Sequence, residues 1–274
     1  MPAVRTFFLL ALGLFMGSCA SVGSYDLRPI PTFTRVPLQP VSARSVVARR
    51  AWMLYQNVAA RQIAYSKIPA DTVFRLSGVI VVRSGYDLLV RFVTLEDQSP
   101  RSLFDVELEI GSDAISVHKR EPPLALPERD LAQWRAHQAS LQAASFYEPC
   151  ASSYMAAVIP DDDGGWLAYM VPSPEAPGQM ELGGYLRLKL DSTGELVLSR
   201  ERLGTECSRW KVPRHAVALV IAQADSRVPA ENDVYASLFW KLPLYVSNSD
   251  GSVTWVVYED GVEDASERVH PIAP

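Results

Sequence analysis

Three consecutive aspartates, Asp161, Asp162 and Asp163, form the densest run of carboxylates in the chain. Hard cations such as calcium want several carboxylate oxygens in one place, but calcium loops alternate their ligands because neighbouring side chains diverge. This run precedes Gly164-Gly165 between two apolar stretches and reads as a polar hairpin turn. Ser208-Arg209-Trp210-Lys211 and Ser116-Val117-His118-Lys119 both match the Ser-x-x-Lys spacing in which lysine eases deprotonation of serine. Neither is accompanied by a Ser-Asp-Asn or Lys-Thr-Gly partner, and two hits to so loose a pattern read as coincidence. Cys207 with His215 as its base would make a thiol nucleophile, a chemistry that requires a free thiol. The four histidines, His118, His137, His215 and His270, fall at no spacing that gathers metal ligands on one element. With no nucleophile elbow and no phosphate-binding glycine loop, neither a metal nor a cofactor is expected, and no catalytic residue is assigned. A carboxylate pair drawn from separate loops would leave no local signature, so a hydrolase acting on cell-wall or glycan material stands as the alternative to a binding protein.

Aromatic side chains offer a second chemistry, because their faces stack on sugars and supply contact area at low entropic cost. Of the six tryptophans, Trp134, Trp166 and Trp255 read as core residues. Trp210 and Trp240, beside polar or proline-flanked segments, are the candidates for a ligand surface facing an envelope protein or glycan.

The elements that would position these residues are those of an α+β fold. Two main helices are predicted. Ser42 to Ser66 places Val47, Ala51, Leu54, Tyr55 and Val58 on one face, with Ser42 as cap. Its other face carries Arg44, Arg49, Arg50, Arg61 and Lys67, a solvated basic face that anionic headgroups could alternatively meet. Glu128 to Ser145 is the second helix, with Leu131, Trp134 and Leu141 on its stripe and Pro127 in its first turn. Five hairpins are predicted, joining Thr72–Val82 to Tyr86–Leu95, Leu103–Ile110 to Ala114–His118, Tyr154–Ile159 to Trp166–Val171, Gly184–Leu190 to Glu195–Leu203, and Leu244–Ser247 to Val253–Tyr258. Each is punctuated by a Gly, Asp or Ser turn, and together they predict antiparallel sheet. Ala216 to Ala222 reads as a strand buried on both faces, while Val234 to Trp240 fits either a strand or a helical turn. Pro122, Pro123 and Pro127 break the pattern within a single domain over residues 42–274, with a subdivision near residues 122–127 as the alternative.

A chain of 274 residues with 48% hydrophobic content can bury a full core. Its net charge of −5 does not suggest a nucleic-acid partner, which would require an extensive basic surface. Arg5, the apolar run Phe7 to Met16, the small residues Gly17 and Ser18, and then Cys19 form a targeting segment too short to span a bilayer. This order resembles the signal peptides of bacterial lipoproteins. The resemblance implies cleavage after residue 18, palmitate-type acyl chains on Cys19, and, with Ala20 following, an outer-membrane location facing the periplasm. Each buried methylene would contribute about 0.8 kcal/mol to that anchor. Residues 19–41 then read as a lipidated tether, in which Ser21 to Pro40, with Pro29, Pro31, Pro37 and Pro40, would reach about 60 Å at ~3.1 Å per residue or, alternatively, pack along the domain surface. Export implies an oxidising compartment, in which Cys150 and Cys207 are expected to pair. Leu182 to Gly194 and Leu242 to Trp255 are also loosely similar to uncharacterised secreted proteins of Gram-negative bacteria, a resemblance that implies no activity.

Overall fold

The computed structural model describes residues 26–39, 45–85, 87–145, 147, 149–204, 207, 209–223, 228–248, 254–259 and 261–265. The signal segment, Cys19, Ser42, Arg44, Ser208 and His270 lie outside the described residues. The fold is α+β with four mostly antiparallel sheets. The strands of all five predicted hairpins pair antiparallel.

Helix α1 spans Val46–Tyr65 and is capped by Ser45 rather than Ser42, its Oγ accepting from the Ala48 amide at 3.1 Å. Ala70–Arg75 makes a 3-10 turn after Pro69, so the first strand starts at Gly78 and not at Thr72. The first sheet has the order β1 (Gly78–Ser84), β2 (Asp87–Glu96), β3 (Ser99–Glu109), β4 (Ile115–Ala125). Strand β4 runs through Pro122 and Pro123, which were expected to end the pattern. The ladder to β3 shifts register there, passing from Phe104–Lys119 to Ser102–Leu124, so neither proline occupies a paired position. Helix α2 (Glu128–Ala144) follows, and then a second sheet of β5 (Tyr154–Pro160), β6 (Trp166–Pro172), β8 (Tyr185–Leu190) and β9 (Val197–Leu203). The short strands β7 (Gln179–Glu181) and β10 (Arg209–Lys211) pair separately. The last sheet sets β11 (Leu219–Gln223) parallel to β12 (Leu244–Asn248), with β13 (Thr254–Tyr258) and β14 (Gly261–Asp264) antiparallel beyond. Between β11 and β12 lies a third helix, α3 (Glu231–Trp240), where the sequence left strand and helix open. Asp233 Oδ2 caps its start by accepting from the Ala230 amide at 2.9 Å.

Each half of the chain is thus a helix followed by a four-stranded antiparallel sheet, yet both helices straddle the two sheets. Edge strands β1 and β5 meet along a seam, α1 on one side and α2 on the other. Their unpaired carbonyls are satisfied by side chains: Gln133 Nε2 donates to Val81 O at 2.8 Å and to Val158 O at 2.9 Å, and Arg61 donates to Ala156 O. This seam explains two departures from the sequence reading. Arg61 is buried instead of solvated. The buried face of α2 is Ala132, Gln133, Ala136, His137, Ser140 and Ala143, not Leu131, Trp134 and Leu141. Small residues let the helix backbone approach closely. A Cβ on Gly194, at φ +75°, would overlap the Ala132 carbonyl, so the β8–β9 turn touches the helix itself.

The largest core lies between α1, α3, the inner face of the second sheet and the last sheet, centred on Leu54, Tyr169, Leu203 and Leu244. Each such side chain contributes roughly 1.5–3 kcal/mol. Two smaller cores lie under the first sheet and under α2.

Candidate functional site

Residues 26–39 do not hang free as the tether reading required; they form an arm laid on the domain. The Arg28 amide donates to Val212 O at 3.0 Å, and its guanidinium donates to Trp240 O and Ala216 O, both at 2.8 Å. Phe33 packs edge-on against Tyr55, ring centroids 5.3 Å apart, and also meets Phe239. Val36 is buried, and its carbonyl accepts from the Gly111 amide at 2.9 Å. Apolar anchors at 33 and 36 outweigh the extended preference of the prolines.

The arm forms one wall of a groove of about 1070 Å³. Its floor is Trp52 and Tyr55 of α1, its far wall is the end of α3 with Lys241, Leu242 and Pro243, and Tyr258 and Glu259 close one end. Trp52 Nε1 donates to the Glu259 carbonyl, tying floor to end wall. Burial pushes the Tyr55 hydroxyl up to about 12, so it stays protonated as a neutral donor. Two cations, Arg35 and Lys241, are exposed on the rim. Lys241 is left-handed at φ 53°, a conformation in which glycine is the stable choice, and it closes α3 by donating to Leu238 O at 3.3 Å. Strain of this kind persists where a side chain is needed. Ser237 is no nucleophile here, since its hydroxyl donates to Leu242 O at 2.7 Å.

The chain matches no known family model and no curated protein.

The residues singled out by sequence fall elsewhere. Trp240 is only 3% exposed and packs edge-on against Phe239, so it is not a ligand surface. It is the last residue of α3, a helix buried along its whole length. Trp210, on β10, is half-buried against the main core. Cys207 is bonded to Cys150, Cα atoms 5.1 Å apart, so no free thiol faces the exposed His215. Ser116 and Lys119 lie on β4, where a spacing of three puts them on opposite faces. Asp161 to Asp163 form the expected β5–β6 turn, but its carboxylates meet cations of the chain itself. Asp161 accepts from Arg50 at 2.6 Å and lies 3.3 Å from Lys189, which also pairs with Asp163. Arg49 lies 3.8 Å from Asp162, so the basic face of α1 is engaged with this turn. Among the described residues no three His, Cys, Asp or Glu side chains cluster as a metal site.

A buried carboxylate pair does exist. Asp105 of β3 and Asp130 of α2 share Arg91, at 3.6 and 2.8 Å, and Arg120 and Ser102 hold Asp105 further. Burial pushes Asp130 upward, with Asp105 adding to it against the pull of Arg91 and Arg129. Neither acid lines the groove, so this pair is a brace between β3 and α2. Of the residues that do build the groove, only Tyr55 stood on a predicted apolar stripe. The others converge from five separate segments and carry no local signature.

His137, by contrast, is a buried neutral base. Burial first, and then the Arg61 charge, lower it from 6.5 to about 3. The unfolded chain takes up its proton near 6.5 while the folded chain does not, so stability falls as pH drops through that interval. Between pH 7.5 and pH 5 the wild-type chain is expected to lose about 2 kcal/mol more than His137→Gln, as read by urea denaturation. Equal losses in the two chains would show His137 to be protonated in the fold.

Proposed function

We propose that this protein is a lipid-anchored envelope protein, exported and acylated at Cys19, that binds an anionic envelope glycan in the groove and does no chemistry on it. The observation that carries this reading is the composition of the groove: the half-buried rings of Phe33 and Tyr258 beside a rim bearing Arg35 and Lys241. Rings stack on sugar faces, rim cations meet carboxylates, and a volume near 1000 Å³ suits an extended ligand. Since the arm is docked from Asp26, an anchored Cys19 leaves a span of seven residues, at most about 25 Å, to the bilayer. The groove would then work near the membrane surface instead of 60 Å above it.

Two measurements test the two parts. Intact mass of protein extracted from native membranes is expected to show a chain beginning at Cys19 with added acyl mass, lost in Cys19→Ala; an unacylated soluble chain overturns the anchor. Lys241→Glu is expected to weaken binding of soluble peptidoglycan fragments about tenfold, ~1.4 kcal/mol, with the melting temperature unchanged. Undiminished binding by that variant would take the groove out of the function.

A further inference from the structure

Sheet edges expose unpaired N–H and C=O groups that template the pairing of another strand, and proteins guard them with charges and prolines. Three free edges here are guarded in that way. Strand β4 carries Lys119, Arg120, Glu121, Pro122 and Pro123; β9 carries Arg200, Glu201 and Arg202; β14 ends in Glu263 and Asp264. The other two long edges, β1 and β5, are sealed by the side chains of α1 and α2.

Strand β11 is different. Leu219-Val220-Ile221-Ala222-Gln223 holds no charge and no proline. The Leu219 amide donates to Pro243 O at 3.1 Å, which sets the phase of the parallel ladder: residues 219, 221 and 223 face β12. The backbone groups of Val220 and Ala222 therefore point away from the sheet, and among the described residues none pairs with them. The strand is also not buried on both faces as its apolar run suggested. Ile221 packs toward α3, whereas Val220 is 70% exposed on the opposite face, in register with Tyr245 and Val256.

We infer that β11 is a self-association edge, pairing antiparallel with β11 of a second copy. An edge strand is its own complement under a two-fold axis. With the axis at Ile221, Val220 of each copy exchanges two hydrogen bonds with Ala222 of the other, four in all, and the two last sheets join into one of eight strands. Charge favours the same occupant: two copies, each of net charge −5, repel except where the contact is neutral, and β11 is the neutral edge.

The test is sedimentation of the full-length chain in density-matched detergent, wild type beside Val220→Pro, Val220→Lys and Val220→Thr. Proline removes the outward N–H and leaves the ladder to β12 intact, lysine adds a guarding charge, and threonine keeps both the amide and the strand preference. The expected result is a dimer for wild type and Val220→Thr, and a monomer for Val220→Lys and Val220→Pro with an unchanged circular dichroism spectrum. A monomeric wild type overturns the inference, including one whose edge proves to accept a foreign strand. A dimer that survives Val220→Lys overturns it too, whatever Val220→Pro does to folding.

Discussion

Cys207→Ser is expected to lower the unfolding free energy by about 4 kcal/mol, since the disulfide closes a loop of 57 residues whose entropy the unfolded chain would otherwise regain. The bond ties the entry to β5 to the exit from β9, across the second sheet. Its surroundings are built for it. A Cβ on Gly184, at φ +82°, would overlap the Cys150 side chain. The Tyr154 hydroxyl accepts from the Cys150 amide at 2.7 Å, and Arg209 donates to the Cys150 carbonyl at 2.7 Å. Because these contacts hold the Cys150 end without the sulfur, the loss should come from the unfolded state and not from a collapsed native site. Urea denaturation with and without reductant reads it. A loss below about 1 kcal/mol would mean that the reduced unfolded chain keeps this loop closed by other contacts.

Glu231→Gln should cost about 3 kcal/mol, at the lower end of what breaking a buried ion pair costs because Arg187 keeps some access to water. Glu231 opens α3 and is almost fully buried. Its two oxygens lie 2.6 and 2.7 Å from Arg187 Nη1, with Arg50 at 3.7 Å. Burial opposes the charge on Arg187, but Glu231 and Glu201 more than offset it and hold the guanidinium above its ordinary value. The Tyr169 hydroxyl shares this site, pushed upward by burial and then by the Glu231 charge. Through Arg50 and Asp161 the same network reaches the aspartate turn, joining α1, α3 and the second sheet. Removing one charge strands the others. The double variant Glu231→Leu with Arg187→Leu is therefore expected to lose less stability than Glu231→Gln alone, and a larger loss in the double variant would show that the pair stabilises outright.

Local features were legible in the residues themselves. The five hairpins follow from alternation and turn residues within about twenty positions, and the α1 stripe from its spacing. Pairing of Cys150 with Cys207 followed from their being the two cysteines left in a chain whose first residues resemble an export signal. Features that depend on what lies opposite were not legible. Periodicity shows that a helix has two faces but not which is covered, and α2 turned its small and polar face inward because strand-edge carbonyls needed donors there. A proline-flanked neighbourhood made Trp240 a surface candidate, whereas it ends a helix buried along its whole length. Prolines made residues 26–39 a spacer until Phe33 and Val36 found α1 and the β3–β4 turn.

The sequence by itself determined the α+β class, the hairpins and the cysteine pair, each decided within a short stretch of chain or by elimination between two residues. Only the tertiary structure decided the groove, the sealed seam between the sheets and the edge of β11 that no described residue pairs. Each is made by segments distant in sequence, and whether a polar or apolar group is satisfied depends on the partner brought to it and not on its neighbours along the chain.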